Sequence, residues 1–178
     1  GRRIYRRFER AFPAAYRADW VARSAVADIN RVIELESSSE PIISLYRPLE
    51  ARAGTVRCKL FSRAGVSLSD VLPTFEHMGA KVVDERPYEI TPEDQDAIWL
   101  YDFGLLCVAE DVERARDSFQ EAFLAVKRGD LEDDGLNGLV LAAGQTGRQI
   151  TIVRAVAKYL RQAGIAFSDA YMERTLLS

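Results

Sequence analysis

The chain has 178 residues, of which 48% are hydrophobic and 29% are charged, and this is the composition of a globular protein rather than a disordered one. No stretch approaches the roughly 20 apolar residues that a transmembrane helix requires, so we expect no membrane partner. The formal charge of −3 is uneven, because residues 1–20 hold six arginines and two acidic residues.

The basic N-terminal stretch predicts an amphipathic helix over residues 2–11. Its arginines alternate with Ile4, Tyr5, Phe8 and Phe12 at helical spacing. We therefore expect a solvated arginine face rather than a nucleic-acid-binding arm. A second helix is predicted over residues 20–35. Its predicted buried face consists of Val21, Ala25, Ile29, Val32 and Ile33.

Four strands are predicted between the two helical ends of the chain, over residues 42–46, 55–61, 80–88 and 97–108. In the second strand, alternation places Arg57 and Lys59 on an outer face that meets solvent or a polar cover. Pro87 places the end of the third strand at a sheet edge. The fourth strand is apolar on both faces, which predicts burial on both, and Asp102 is expected to be hydrogen-bonded beside Gly104.

A helix is predicted between the second and third strands. Ser67 and Ser69 are candidate N-caps, Pro73 predicts a late start of the regular helix, and Gly79 is predicted to end it with a left-handed backbone. Strand, loop, helix and strand in this order form half of a ferredoxin-like module. The predicted fold class is therefore α+β, with an antiparallel sheet, packed helices and a helical region after it.

The helical region begins after the fourth strand. An apolar stripe from residue 111 onward predicts a helix that packs on the sheet and ends at Gly129. Two more helices are predicted to end at Gly144 and Gly164, and Ser168 is predicted to cap a last one. Arg154, Lys158 and Arg161 are expected on a solvated face. The predicted domains are N-terminal helices over 1–36, a sheet domain over 37–129 and a helical domain over 130–178.

A search for chemistry predicts no catalytic, cofactor-binding or metal-binding residue. His77 is the one histidine, and no partner is spaced to form a dyad with it. The run 130–135 begins like a calcium loop but has Leu141 at the twelfth position, where a glutamate is needed. Cys58 and Cys107 both lie in predicted strands, which favours buried reduced thiols and a cytoplasmic protein.

Seven short segments, in order along nearly the whole chain, resemble the large NAD-specific glutamate dehydrogenases of bacteria. No single segment is diagnostic, and the ordered series carries the resemblance. The segments are Tyr46-Arg47-Pro48-Leu49, Cys58-Lys59-Leu60, residues 68–73 with Glu76 and Gly79, Asp102-Phe103, residues 119–123, residues 137–144, and Arg154-Ala155 with residues 158–162.

The resemblance implies an ACT-like domain within a much longer chain, which the start at Gly1 without methionine also leads us to expect. It implies a parent reaction, the reversible oxidative deamination of L-glutamate with NAD, whose substrate and NAD sites lie outside these residues. The role implied for this segment is regulatory and architectural. The implied partners are other domains of the same chain and further copies in a homo-oligomer. A free-standing ACT-like amino-acid sensor and a helical adaptor remain alternatives.

The resemblance also indicates a candidate effector loop, because ACT-like modules bind amino acids where the first strand leads into the first helix. Its residues here are Arg63, Gly65, Val66, Ser67 and Asp70. Backbone N–H groups and Arg63 could hold a carboxylate, and Asp70 could accept an ammonium group. The Asp-x-Pro-Gly pattern of such loops is replaced by residues 62–65, and capping alone explains Ser67, Ser69 and Asp70. We therefore expect no tight amino-acid binding.

Overall fold

The computed structural model describes residues 2–48, 54–107, 112–165 and 167–177. Eight α-helices and one 3-10 helix, Gly135–Gly138, lie in these ranges. The helices are α1 Arg2–Phe8, α2 Ala14–Asp19, α3 Ala22–Ser37, α4 Leu68–His77, α5 Val112–Arg128, α6 Leu139–Ala143, α7 Gly147–Gln162 and α8 Asp169–Leu176. The strands are β1 Ile42–Tyr46, β2 Thr55–Ser62, β3 Ala80–Ile90 and β4 Ile98–Cys107.

The four strands form one antiparallel sheet in the order β1-β2-β4-β3. β4 lies between β2 and β3, so β2, α4 and β3 form the predicted split βαβ arrangement. β1 fills the sheet position beside β2 that the last strand of an ordinary ACT-like module would occupy. The α+β fold class is confirmed. β3 is an edge strand, as Pro87 predicted.

The chain divides into two compact units, and the first comprises residues 1–44, 58–66 and 84–103. Its core is aromatic and aliphatic, and α3 contributes Val32 and Leu35, both almost completely buried. Arg7 forms ion pairs with Glu36 and Asp94, which hold α1 within this unit. The other core residues are Phe8, Ala11, Tyr16, Phe61, Tyr88, Ile90, Ile98 and Leu100.

The second unit comprises residues 45–57, 67–83 and 104–178. Phe75 of α4 stacks on Phe119 and Phe123 of α5, with ring centroids 6.2 and 5.1 Å apart. Gln120 of α5 accepts a hydrogen bond from the Leu45 N–H of β1 at 3.0 Å, which fastens α5 to the edge strand. Val112, Ala115, Phe119, Ala122 and Phe123 are all buried, so the predicted apolar stripe of this helix is confirmed.

The ends of α4 test two predictions. Gly79 follows the C-cap Met78 with φ = +79°, the left-handed conformation that was predicted. The expectation that Pro73 delays the helix is wrong, because α4 begins at Leu68 and contains Pro73. The side chains of Lys127 and Thr74 donate hydrogen bonds to the Asp70 carbonyl, at 2.5 and 3.3 Å, in the turn that precedes the proline.

The N-terminal helices differ from their predictions. The predicted helix 2–11 stops at Phe8, and Ile4 and Tyr5 are exposed rather than buried. The unpredicted helix α2 precedes α3, which starts two residues later than expected. Val21 is consequently the exposed N-cap of α3 and not part of its buried face.

The expectation that Arg154 lies on a solvated face of α7 is also wrong. Val156 and Tyr159 are exposed, while Ile150, Arg154 and Ala157 form the buried face. The prediction placed Arg154 in solvent because of its charge, but Arg154 is buried and has a carboxylate partner that is described below. The predicted helix ends at Gly129, Gly144 and Gly164 are confirmed. Among the described helices, none combines the length and apolar character needed to cross a membrane.

Candidate functional site

The first part of the candidate loop lies in the first unit and begins with Arg63, directly after β2. Its guanidinium donates hydrogen bonds to the carbonyls of Leu35, Ser38 and Glu36, at 2.6, 2.7 and 3.0 Å. These carbonyls belong to the C-terminal end of α3, where unpaired acceptors and negative dipole attract a cation. Arg63 is therefore the cap of α3, and both of its Nη atoms donate to carbonyls of the protein.

Gly65 and Val66 lie beside the hydroxyl of Tyr101, in the same unit. The Val66 N–H donates to Tyr101 Oη at 3.1 Å. A Cβ built on Gly65 would lie 3.6 Å from the same oxygen, which is ordinary van der Waals contact. The backbone N–H that could have held a ligand carboxylate is thus paired with a tyrosine.

Ser67 and Asp70, the other two candidate residues, lie in the second unit. Ser67 occupies the predicted N-cap position of α4 but makes no side-chain capping bond. Its hydroxyl instead lies 2.6 Å from that of Ser69. Burial lowers the pKa of Lys127, whose ammonium donates to the Asp70 carbonyl, while the negative charges of Asp133 and Asp70 partly offset that shift.

The structure reveals a buried ion pair that the sequence analysis missed. Lys59 Nζ of β2 donates to Asp28 Oδ2 of α3 at 2.6 Å, and the hydroxyl of Tyr16 donates to the same oxygen at 2.5 Å. Lys59 and Asp28 retain 6% and 5% side-chain exposure. The ammonium also lies 4.2 Å from the ring centroid of Trp20, which favours a cation there. This cluster is the polar cover that the outer face of β2 was expected to meet.

A signal for Asp28 was present in the sequence. Asp28 follows Ala25 by three residues and precedes Val32 by four, so it falls on the apolar face of α3. A carboxylate on a buried helix face requires a cationic or hydrogen-bonding partner. Lys59 lies among the apolar strand residues Cys58, Leu60 and Phe61, so its ammonium group in turn requires an anionic or hydrogen-bonding partner.

A second set of hydrogen-bonded polar side chains lies in the first unit. The Tyr88 hydroxyl donates to Asp19 Oδ2 at 2.6 Å and accepts a hydrogen bond from Trp20 Nε1 at 3.2 Å. Burial raises the pKa of Tyr88, and the hydrogen bond to Asp19 raises it further. The phenol thus remains a neutral donor, and it joins α2 to β3 as a structural contact.

In the second unit, Arg154 of α7 is buried and not solvated as predicted. Its Nε and Nη2 donate to the two carboxylate oxygens of Asp134 at 2.6 and 2.8 Å, and Nη2 also reaches Asn137 Oδ1 at 3.0 Å. The hydrogen bond to Asp134 raises the pKa of Arg154 against the opposing effect of burial. This bidentate ion pair between Arg154 and Asp134 holds the 3-10 helix against α7.

The acidic run 130–135 forms protein contacts. Asp133 accepts a hydrogen bond from the Thr74 hydroxyl at 2.8 Å and lies 2.9 Å from His77 Nδ1. Lys158 donates to both carboxylate oxygens of Glu132, at 2.7 and 2.9 Å. Within the described ranges, no three His, Cys, Asp or Glu side chains are arranged to hold a metal ion. The single histidine is thus a partly exposed partner of Asp133.

Both cysteines are buried and neither is in a disulfide. Burial raises the pKa of the Cys58 thiol, and the negative charge of Asp102 adds to that shift. A neutral, enclosed thiol is a poor nucleophile and a poor metal ligand. Cys58 is accordingly a packing residue of β2.

Three family models match successive parts of the chain. The model described as glutamate dehydrogenase, helical motif 2, matches residues 1–35. The glutamate dehydrogenase ACT3 domain model matches residues 40–117, which include all four strands. The glutamate dehydrogenase helical motif 3 model matches residues 131–178.

Curated relatives give the same assignment. The chain is 39% identical over 174 residues to the NAD-specific glutamate dehydrogenase of Halomonas elongata, and 31% identical over 180 residues to that of Pseudomonas aeruginosa. These alignments cover 96% and 99% of this chain but only 11% of each relative. A Mycobacterium tuberculosis protein of the same name is 36% identical over 93% of the chain and is likewise covered over 11% of its length. The chain therefore belongs to the glutamate dehydrogenase family, of which it contains helical motif 2, the ACT3 domain and helical motif 3.

Proposed function

We propose that this segment has a regulatory and architectural role in a longer NAD-specific glutamate dehydrogenase. The observation that carries the proposal is the ordered match of three glutamate dehydrogenase models along one chain. The parent reaction would convert L-glutamate, NAD and water to 2-oxoglutarate, ammonia and NADH. NAD would bind to a part of the polypeptide outside these 178 residues.

The pairing of the buried charged groups supports a non-catalytic role for this segment. The buried cations Lys59 and Arg154 face the carboxylates of Asp28 and Asp134. A general base must be able to accept a proton, and an anion site needs a cation that can bind a ligand. In these two pairs each cation is already bound to a carboxylate of the protein. Their role in the proposal is to hold helices in fixed positions.

The candidate loop is proposed not to hold an amino acid tightly. The three hydrogen bonds from Arg63 to the end of α3 support this, because a ligand carboxylate would have to compete with them. The contact between Val66 and Tyr101 adds a second competing bond. The ACT-like domain would then act through contacts with other parts of the polypeptide rather than as a sensor.

The proposed domain division is 1–36, 37–129 and 130–178, which the ranges matched by the three models support. We also propose that the whole protein is a cytoplasmic homo-oligomer. The two buried reduced thiols support the compartment, since cytosolic proteins keep their cysteines reduced.

Measuring NADH production by the full-length protein encoded around this segment tests the proposed parent activity. We expect absorbance at the NADH wavelength to rise when L-glutamate and NAD are supplied. The purified 178-residue chain should give no signal under the same conditions. Turnover by the short chain, or a full-length protein that fails to oxidise glutamate, would contradict the proposal.

A further inference from the structure

The outward face of α7 has a patch of exposed apolar residues beyond the exposed Arg148 in its first turn. Ile152, Val156 and Tyr159 are 58%, 52% and 67% exposed, and they follow one another at helical spacing. Ala155 lies on the same face and is exposed as well. We call these four residues the α7 stripe.

α7 buries one charged residue and exposes several apolar ones, which is unusual for a surface helix. The side that faces the second unit contains the charged residue Arg154 between Ile150 and Ala157, and the outward side contains the stripe. A surface helix normally turns its charges outward. Single exposed apolar residues are common, but four on one helix face indicate an interaction surface.

We propose that the α7 stripe is a docking surface for an uncharged, apolar face of another helix in the same longer polypeptide. The inference rests on the proposed place of this segment in a glutamate dehydrogenase of the relatives' length. Those relatives are about nine times longer than the matched region, so a protein of that length would have abundant further chain to cover the stripe. The two helices would pack with their apolar ridges interlocked.

The size of the stripe argues against a second copy of the chain as the occupant. α7 has 16 residues, so it is about 24 Å long and about 10 Å wide. It therefore offers roughly 240 Å² to a partner, well below the roughly 800 Å² per partner in a stable interface. A helix tethered in the same polypeptide needs no such area, because its effective concentration is already high.

Cysteine accessibility in the full-length protein tests whether the stripe is covered. Val156→Cys places a thiol on the stripe, and Val26→Cys is a matched control on the polar face of α3, where Val26 is 61% exposed. We expect maleimide to label Val156→Cys at least about tenfold more slowly in the full-length protein than in the 178-residue chain. The control reports the reactivity of an exposed helical thiol in each preparation. Equal labelling of Val156→Cys in both would overturn the proposal.

A photocrosslinker at position 159 identifies the occupant. Tyr159 is replaced by p-benzoylphenylalanine in a mixture of nitrogen-15-labelled and unlabelled full-length protein, and crosslinked peptides are analysed by mass spectrometry. A crosslink to a helix of the same molecule is the expected result. Mixed-isotope crosslinks would assign the stripe to a second copy, and crosslinks to a different protein or none at all would likewise refute the proposal.

The two proposals fail separately. A covered stripe in a protein without glutamate oxidation would refute the proposed function and leave the docking surface intact. An active enzyme whose Val156→Cys labels as rapidly as the short chain would refute the docking surface alone.

Discussion

Lys59 and Asp28 form a buried ion pair in the first unit, with Nζ and Oδ2 2.6 Å apart. Removing two charges from water is unfavourable, so such a pair is retained only with good geometry and additional hydrogen bonds. Tyr16 supplies one hydrogen bond, and the Trp20 ring faces the ammonium. The pair therefore fixes α3 on β2 in one arrangement.

Lys59→Met should lower the free energy of unfolding by about 3–5 kcal/mol, because it leaves the Asp28 carboxylate buried without its cation. Urea denaturation of the 178-residue chain measures the change. The matched control is Lys81→Met, an exposed lysine of β3, which should change stability by less than about 0.5 kcal/mol. Adding Asp28→Leu to Lys59→Met should recover much of the loss. A Lys59→Met effect as small as the control would mean that the pair contributes nothing.

Gly79→Ala should destabilise the chain by about 1 kcal/mol. The reason is the left-handed backbone at φ = +79°, since an added Cβ would lie 3.5 Å from the Cα of Gly138 without a clash. Gly65→Ala is the control, because its new Cβ also meets ordinary contact and its φ is not positive. Equal melting temperatures for both variants would remove the conformational argument.

Phe119→Ala and Phe123→Ala should each lower the free energy of unfolding by roughly 3–5 kcal/mol, through a cavity beside Phe75. Phe167→Ala, at a half-exposed ring, is the control and should change stability much less. Guanidinium denaturation compares the three variants. If the free energy of unfolding falls by less than about 1 kcal/mol in both variants, the surrounding side chains have collapsed into the cavity and the prediction is wrong.

Arg63→Ala should destabilise the chain by about 1 kcal/mol, since it removes an exposed cap from the end of α3. Arg10→Ala, at a side chain that is 93% exposed, is the control. Calorimetric titration with the twenty amino acids should detect no tight binding to the unaltered chain. Micromolar affinity for one of them, lost in Arg63→Ala, would establish an effector site instead.

Cys58 should resist thiol reagents in the folded chain, because burial keeps its thiol neutral. The folded state holds this proton to a higher pH than the unfolded state, whose thiol pKa is about 8.5. Stability should therefore fall as pH rises above that value. Ellman titration with and without denaturant, and unfolding at pH 7 and pH 10, measure both effects. Rapid labelling of the native chain at pH 8 would contradict them.

Local patterns predicted the sheet and most helix ends. β1 was predicted at its observed bounds, and Gly79, Gly129 and Gly144 end helices where expected. These features depend on residues close together in the chain, on alternation in strands and on backbone geometry.

Long-range electrostatic pairing could not be predicted in the same way. Arg154 was assigned to solvent because its charge is unfavourable in a core, and its partner Asp134 lies 20 residues away. Because Arg154 is buried, Val156 on the opposite side of α7 is exposed. Arg63 was named as a candidate residue of an effector loop, and its role at the end of α3 was missed because its carbonyl acceptors lie 25–28 residues earlier.

The position of β1 also determines when the sheet can assemble during synthesis. An ordinary module would wait for a strand that follows α5, whereas the four strands of the described residues all lie between residues 42 and 107. All pairings between these strands can therefore form once β4 has left the ribosome, while α5 is still inside the exit tunnel. The nascent chain has the shorter loops to close, which favours rapid pairing. α5 then folds onto a sheet whose edge is already complete.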